Sequence, residues 1–249
     1  LRSETKIMQE QYNDGIKVLV ADASHERYVD TILQTITDAA KVRGSGIASR
    51  THEYVATKMK ERKAIIALAG EEFAGFCYIE SWENKHYVAN SGLIVVPKFR
   101  GHHLATRIKK LAFALSRLRW PQAKIFGLTS SGPVMRINTM LGYVPVPFSE
   151  LTHDDEYWKG CGTPEQPCCI NCDVLARTGR KYCVCTGMLY DPADHPGEPL
   201  PVEVPQDTQQ TADVPAEVTE QTVAAVKTAQ PEQPQQSVQE QTEKPTEQP

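Results

Sequence analysis

The sequence lacks a long apolar stretch, a dense cluster of basic residues and any aromatic residue after Tyr190. Because a bilayer-spanning helix needs about 20 consecutive apolar residues, we expect no membrane association. The first residues, LRSETKIMQEQ, also lack the apolar core of a secretory signal. Without a basic stripe, a nucleic-acid partner is not expected either. Together these absences favour a cytoplasmic protein.

The C-terminal segment differs from the rest of the chain in composition and charge. Of the 31 acidic and 27 basic residues, 12 and two lie in residues 191–249, which leaves 19 and 25 before them. A segment rich in Pro, Glu, Gln and Thr cannot bury enough apolar surface to offset the entropy lost on ordering. The sequence therefore predicts four parts: an N-terminal extension, 1–15, a folded domain, 16–150, a Cys-rich closing segment, 151–190, and a disordered acidic tail, 191–249.

Strand-like and helix-like segments alternate between Ile16 and Tyr190. The alternation in IKVLVAD predicts a first strand, and the turn at Gly70 predicts a hairpin between AIIALAG and FAGFCYIESW. We expect Ser24 and Thr51 to cap the first two helices. The full pattern, β-α-α-β-β-β-α-β-α-β-β, predicts an α/β fold with helices packed on a sheet.

The longest predicted helix runs from about His103 to Arg119. Its apolar residues recur at helical spacing and form one stripe, from Leu104 to Leu118. We expect its basic residues to face water: Arg107, Lys109, Lys110, Arg117 and Arg119.

A strand, a proline, an Arg-Gly pair and this helix follow one another in VVPKFRGHHLA. Pro97 ends the strand because it has no N–H for a ladder. The turn at Gly101 then leads into a helix N-terminus, where N–H groups without intrahelical partners and the helix dipole favour an anion. Arg100 can add a charge-assisted hydrogen bond. The order of these features predicts a binding site for a small polyanionic ligand.

The same residues resemble motif A of the GNAT N-acyltransferase family, Arg/Gln-x-x-Gly-x-Gly/Ala. Arg100 and Ala105 match its first and last positions, while His103 stands where the family has glycine. The resemblance implies a GNAT fold, with a mixed and mostly antiparallel central sheet flanked by helices. It also implies acetyl-CoA or succinyl-CoA as co-substrate. In that family a splayed strand holds the pantetheine and the following loop holds the pyrophosphate, which here correspond to Ile94, Val95 and Val96, and to Arg100, Gly101, His102, His103, Leu104 and Ala105.

Two further segments resemble the acetyltransferase domain of the N-acetylglutamate synthases: RGSGIASRTHEYVATKMKE and IFGLTSSGPVMRINTMLGYVPVPFSEL. This resemblance implies a short form, without an amino-acid-kinase domain, that transfers acetyl or succinyl to the α-amine of glutamate or a related amino acid in arginine biosynthesis. A GNAT enzyme for another small-molecule or protein amine is one alternative. A non-catalytic Cys-rich interaction or zinc module is another. A homo-oligomer is compatible with the sequence.

Acyl transfer to an amine requires a group that accepts a proton from the amine and a route for protonating the departing thiolate. Glu80 is the candidate base, with Glu83 and His86 nearby in sequence; the alternative is that Glu80 is an exposed carboxylate at a strand end. Asn138 occupies the position of a tyrosine that serves as the acid in many GNAT enzymes. Asn138 cannot be an acid, but it can hydrogen-bond the thiol or the pantetheine.

An amino-dicarboxylate acceptor requires cations, preferably guanidinium groups that bind a carboxylate through two hydrogen bonds. Arg50 is the first candidate because it lies in the segment that resembles the synthases, and Arg43 and Arg136 follow. Each of the three is otherwise an ordinary surface arginine.

Six of the seven cysteines lie between Cys161 and Cys185. Paired thiolates with short spacings can close a tetrahedral zinc site, for which the candidate ligands are Cys168, Cys172, Cys183 and Cys185. Reduced thiols in a compact loop, an iron–sulfur cluster and a redox switch are the alternatives.

Overall fold

The computed structural model describes residues 14–43, 49–159, 183 and 185–208, all within one structural unit, Leu1–Ala212. The strands are β1 (Ile16–Val20), β2 (Ala64–Ala69), β3 (Glu72–Trp82), β4 (Tyr87–Val95), β5 (Lys124–Thr129), β6 (Val144–Val146) and β7 (Thr186–Tyr190). The α-helices are α1 (Val29–Arg43), α2 (His52–Lys60), α3 (Leu104–Arg119), α4 (Gly132–Met140) and α5 (Asp155–Lys159). The predicted order of elements is confirmed, with the short α5 added before β7.

The strands form one sheet in the order β1-β2-β3-β4-β5-β7-β6. All neighbouring pairs are antiparallel except β4 and β5, which are parallel. The predicted mixed, mostly antiparallel sheet is therefore confirmed. The crossover from β4 to β5 passes through α3, as a parallel pair requires.

Apolar cores lie on the two faces of this sheet. On one face, α1 and α2 pack over alternate residues of β2 and β3 such as Ile66, Phe76 and Tyr78. On the other, α3 and α4 pack over Ile65, Cys77 and Ile79 and their neighbours. Successive strand residues point to opposite faces, so β3 contributes to both cores.

The first helical segment begins differently from the prediction. Asp22, not Ser24, is the N-cap, and its carboxylate accepts the Ser24 backbone N–H at 2.9 Å. A 3-10 turn, Ala23–Tyr28, then precedes α1. Thr51 caps α2 as predicted, since its hydroxyl accepts the Tyr54 N–H at 3.2 Å.

Two of the basic residues of α3 that were predicted to face water are buried. Arg107 is 4% exposed; it pairs with Asp14 at 2.9 Å and donates to the Ile16 carbonyl at 2.5 Å. Lys109 is 2% exposed, with its Nζ 5.0 Å from the centre of the Tyr143 ring. The prediction was wrong for both because the buried face of α3 is wider than its apolar stripe.

The predicted start of the tail at residue 191 is too early. Residues 191–208 pack along the domain: Arg119 donates to the Thr208 carbonyl at 3.0 Å, and Arg62 pairs with Asp207 at 2.8 Å. Val204 and Thr208 are buried. Residues 209–249 lie outside the described part of the chain. Among the described helices, none is long and apolar enough to cross a membrane.

Candidate active site

A gap opens between β4 and β5. Their parallel pairing extends only from Tyr87 with Lys124 to Ala89 with Phe126. From Asn90 onward, β4 is paired with β3 on one edge but has no described strand on the other. We call the space beside this edge the split, and the end at Asn90 its apex. Surface cavities of about 190 and about 440 Å3 lie beside β1 and β6.

A β-bulge bends β4 where it lines the split. The β3–β4 register shifts between Phe76 and Tyr78, and Gly92 has a φ of +65°. A Cβ atom on Gly92 would lie 2.5 Å from the Tyr78 ring. Glycine is therefore required here both by the backbone conformation and by the close approach of the ring.

The edge of β4 offers backbone groups to the split at alternate residues. Val96 donates its N–H to the Ala74 carbonyl of the β3 side at 2.9 Å. Because antiparallel pairing alternates, the N–H and C=O of Val95 point away from β3, whereas those of Ile94 and Val96 point toward it. Of the three residues predicted to hold pantetheine, Val95 is the one that presents its backbone to the split.

The loop after β4 leads into α3 through two residues with positive φ, Gly101 and His103. Pro97–Phe99 form a 3-10 turn, and Gly101 and His103 have φ values of +89° and +54°. His103 is the N-cap of α3 and stands at the position where the family has glycine. Its left-handed conformation is the one that glycine adopts without strain, so the backbone geometry is kept although the residue differs.

The predicted pyrophosphate-binding residues lie together at the open end of the split. Arg100, Gly101, His102 and His103 are exposed, and Leu104 and Ala105 begin α3. Arg100 Nε donates to the Val95 carbonyl at 3.3 Å, which places its guanidinium at the end of β4. The loop, the helix N-terminus and the unpaired strand edge therefore converge on one space.

On the face that carries α1 and α2, a polar cluster lies behind the bulge. Arg50 Nε donates to the Tyr78 hydroxyl at 2.8 Å. The Tyr54 hydroxyl donates to Glu80 Oε2 at 2.6 Å, and Lys58 Nζ lies 2.6 Å from the same oxygen. We call these five residues the Arg50 cluster. Since the Tyr78 ring rests on Gly92, the cluster adjoins the strand that lines the split.

The Arg50 cluster has more basic than acidic side chains. Burial raises the pKa of Tyr54 and of Tyr78, so both phenols stay protonated near neutral pH. Burial lowers the pKa of Arg50, but the electrostatic influence of Tyr78, Tyr54 and Glu80 outweighs it and the net pKa is raised. With Arg50 and Lys58 cationic and Glu80 anionic, the cluster carries one net positive charge.

The other base candidates lie away from the split. Glu83 accepts hydrogen bonds from the Thr152 hydroxyl and the His153 N–H, and so holds the loop before α5. His86 is exposed in the turn before β4. Both lie near Tyr87, at the far end of β4 from the bulge. Glu80, in contrast, is two residues from Tyr78 on the same face of β3 and is the candidate nearest to the bulge.

The structure does not bring the three candidate arginines together. Arg136 is exposed on α4, on the opposite face of the sheet from Arg50. Arg43 is the last residue of α1, and its side chain lies outside the described part of the chain.

Asn138 is 1% exposed on the α4 side. Its Nδ2 contacts Met188 Sδ at 3.5 Å, and its Oδ1 is buried without a hydrogen bond from the described residues. A buried amide oxygen without a donor is costly, which is consistent with a site where a ligand supplies one.

Two of the four candidate zinc ligands, Cys168 and Cys172, lie outside the described residues. Cys185 N–H donates to Cys183 Sγ at 3.4 Å, and hydrogen bonds from Cys185 lower the pKa of Cys183 to about 6. Within the described ranges, no group of three or more His, Cys, Asp or Glu side chains could hold a metal. The zinc site stays a prediction.

Sequence reasoning missed several residues of these clusters. Tyr54 and Lys58 are four residues apart on α2, and Tyr78 and Glu80 are two apart on β3, so simple periodicity pairs each set on one face. Lys109 is four residues before Phe113 and seven before Ser116, which places it on their face of α3. These spacings are the signals that could have located them.

No family model and no curated protein matches the sequence. Solved structures do match the fold. An N-acetylglutamate synthase from Neisseria gonorrhoeae, complexed with coenzyme A and N-acetyl-glutamate, is 11% identical, with a TM-score of 0.50. The match covers 71% of this chain and 35% of the synthase, so the chain spans about a third of that protein's length.

Smaller proteins also match. A Mycobacterium tuberculosis protein in complex with coenzyme A is 13% identical over 70% of this chain and 98% of its own, with a TM-score of 0.49. A Salmonella typhimurium protein with its cofactor acetyl-CoA is 12% identical over 71% and 93%, with a TM-score of 0.46. The match to the synthase shows that this chain has the fold of the GNAT acetyltransferases, as the sequence predicted.

Proposed function

We propose that this protein is an acyl-CoA-dependent N-acyltransferase that binds coenzyme A in the split. The main support for the proposal is the loop at His103. This residue has a left-handed backbone conformation at the position where the family has glycine, and α3 begins there, beside the unpaired edge of β4. Pyrophosphate would bind the N–H groups of the first turn of α3 and Arg100. The pantetheine would hydrogen-bond along β4 at Val95.

The acceptor that the site favours is an amino acid with carboxylate groups, such as glutamate. The Arg50 cluster supplies a net positive charge beside the bulge, and Tyr78 holds the guanidinium of Arg50 in a fixed orientation. A fixed guanidinium binds a carboxylate with little loss of side-chain freedom. We therefore assign acceptor binding to Arg50.

Transfer requires the acceptor amine to lose a proton as its nitrogen attacks the thioester carbon. Glu80 is the carboxylate of the cluster, and both of its contacts use Oε2. Its Oε1 is the atom proposed to accept the proton, directly or through one water. Asn138 Oδ1, buried without a donor from the described residues, is proposed to accept a hydrogen bond from the pantetheine or the thiol.

The donor is proposed to be acetyl-CoA or succinyl-CoA and the product an N-acyl amino acid, as in arginine biosynthesis. The test is a matrix of the two donors against glutamate, other amino acids and small amines, with release of the coenzyme thiol as readout. Thiol release that depends on glutamate supports the proposal. Thiol release that depends only on another amine would show that this amine, not glutamate, is the acceptor, and that the protein is still an N-acyltransferase.

Variants of Arg50 and Arg136 separate acceptor binding from general effects of charge. R50M is expected to raise KM for glutamate at least about tenfold, because it removes a charge-assisted hydrogen bond to the acceptor. KM for the acyl donor should change little. R136M, on the opposite face, is the matched control. Equal effects of the two substitutions would contradict the assignment of Arg50.

Calorimetry with coenzyme A tests the non-catalytic alternative. Absence of binding by the full chain would favour an interaction module. Metal analysis of protein purified without chelator tests zinc at the cysteines separately.

A further inference from the structure

Lys109 is a buried amine that the proposed chemistry does not yet use. It lies on α3 at 2% exposure, and the influences on its pKa among the described residues are burial and Cys77, with no carboxylate. A buried ammonium without a carboxylate partner destabilises a fold, so its presence on a helix that lines a ligand site calls for a chemical reason.

Two contacts place Lys109 at the apex of the split. Its Nζ lies 5.0 Å from the centre of the Tyr143 ring. The Tyr143 hydroxyl donates to Asn90 Oδ1 at 3.3 Å, and Asn90 is the first residue of β4 beyond the parallel pairing with β5. The amine therefore lies beneath the point where the two strands separate.

The register of α3 on β4 places the backbone of Lys109 beside the unpaired stretch of β4 that begins at the apex. Asn90 Nδ2 donates to Ser116 Oγ at 2.9 Å. Lys109 precedes Ser116 by about two helical turns, or roughly 10 Å along the axis. Because the crossover makes α3 antiparallel to β4, the same distance along β4 leads from Asn90 by about three residues to Leu93. That is the stretch whose free edge faces the split.

We propose that Lys109 is the proton donor to the leaving thiolate of coenzyme A, which rests on the proposed function. In the step, the acceptor nitrogen bonds to the acyl carbon, the C–S bond breaks, and its electron pair stays on sulfur. A proton then passes from Lys109 Nζ to sulfur, which leaves coenzyme A as the thiol and Lys109 as a neutral amine. Solvent returns the proton, balancing the one removed from the acceptor.

The groups around Lys109 support this role. Cys77 on β3 and Tyr143 after α4 are the titratable side chains that face it in the described structure. Burial lowers the pKa of Lys109 to about 8, whereas burial raises the pKa of Cys77 to about 11 and that of Tyr143 well above its ordinary value. An ammonium of this acidity is matched to a thiol, whose ordinary pKa is about 8.5.

This assignment also accounts for Asn138. An amide cannot act as an acid, so a chain with Asn at the family's tyrosine position requires another donor. Lys109 lies near the apex on α3, whereas Asn138 lies on α4 and contacts Met188 of β7. The acid is then supplied by a different helix on the same face of the sheet.

The test compares wild type with K109M, which keeps an unbranched side chain of similar length without the amine, and K109R, which keeps its charge. Steady-state transfer is measured with the acceptor that wild type uses. We expect K109M to lower kcat about 10²- to 10⁴-fold. In wild type, kcat should fall as pH rises through about 8, because Lys109 loses its proton. In K109M, kcat should not show this fall. K109R should remain as slow as K109M, because arginine does not release its proton.

Binding provides a readout that does not depend on turnover. The affinities for coenzyme A and desulfo-coenzyme A, which lacks the thiol, are compared by calorimetry from pH 7 to pH 9. K109R should prefer coenzyme A increasingly as pH rises, because a cation beside the sulfur stabilises the thiolate. Wild type should show a preference that rises toward about pH 8 and falls above it, as Lys109 loses its own proton. K109M should show no such preference.

Equal preferences in all three proteins would place Lys109 away from the sulfur and overturn the proposal, even if transfer itself is observed. Acylation of Lys109, seen as an added acyl mass on the intact chain, would make it an acceptor and overturn the proposal too. Absence of coenzyme A binding by wild type would overturn the proposed function and this inference with it.

Discussion

His103 holds a left-handed backbone conformation at a position where the family has glycine. Histidine tolerates this conformation better than most residues, whereas a β-branched residue does not. We expect His103→Val to lower the free energy of unfolding by about 1–2 kcal/mol. His103→Gly should leave it within about 0.5 kcal/mol and should raise the affinity for coenzyme A, since it removes a side chain beside the pyrophosphate site. Urea denaturation and calorimetry measure the two effects, and equal stabilities of the valine and glycine variants would contradict the left-handed turn.

Lys109 gives a residue-scale prediction that is independent of catalysis. Its pKa is about 8 when folded and about 10.5 in an unfolded chain, so between these values the unfolded state binds more protons. Protonation therefore destabilises the fold at pH 7, by about 3 kcal/mol, and this loss is recovered as pH rises from about 8 to about 10.5. K109M should be more stable than wild type at pH 7, and the difference should shrink across that range.

The difference between the two proteins is the quantity to measure, by urea denaturation at each pH. Cys77, whose folded pKa of about 11 exceeds its ordinary value of 9.0, changes stability in the opposite sense over the upper part of the range. Because the charge of Lys109 lowers the pKa of Cys77, this contribution differs between the two proteins, and the difference in stability is therefore compared below pH 9, before Cys77 ionises in the unfolded chain. A constant difference between pH 7 and pH 9 would show that Lys109 is not buried as a cation.

The residue scale is where sequence reasoning was least complete. Arg100 and Gly101 could be placed in a loop from the sequence, because the residues that define that loop are their immediate neighbours in the chain. The Arg50 cluster could not, because Arg50 and Tyr78 are 28 residues apart in sequence and meet only when α2 packs on β3. Lys109 was assigned to solvent by its charge, although its spacing from Phe113 placed it on a buried face.

At the scale of elements, the bulge in β4 joins the donor side of the site to the acceptor side. Gly92→Ala would add a Cβ 2.5 Å from the Tyr78 ring and force the left-handed backbone at the same time. Gly70→Ala, at a similar φ of +61° with nothing within 4 Å, adds only the backbone cost. We expect about 1 kcal/mol of destabilisation for Gly70→Ala and roughly 1–3 kcal/mol more for Gly92→Ala.

The same pair of variants tests the site. Displacement of the Tyr78 ring should move Arg50, so the glycine-to-alanine change at residue 92 should raise KM for the acceptor, and the change at residue 70 should not. Thermal unfolding and initial rates provide both readouts.

The order of strands and helices followed from periodicity in the sequence. The split and the bulge did not, because they depend on where pairing between strands stops.

At the scale of the whole molecule, the boundary of the folded unit lies beyond the last strand. Residues 191–208 pack against the helices: Arg117 donates to the Glu198 carbonyl at 2.7 Å, Arg119 donates to Thr208, and Val204 is buried. The low apolar content of this segment predicted disorder. That prediction failed because composition gives no information on the backbone carbonyls that accept hydrogen bonds from arginines of α3.

Two truncated chains test this boundary. A chain that ends at Ala212 should keep the stability of the full protein to within about 0.5 kcal/mol, because it retains all described contacts of the segment. A chain that ends at Asp191 loses the burial of Val204 and the partners of Arg62, Arg117 and Arg119, and should be less stable by at least about 2 kcal/mol. Urea denaturation of the three chains under one condition measures the differences. Equal stability of the two truncated chains would show that residues 192–208 contribute nothing to the fold and would restore the boundary at 191.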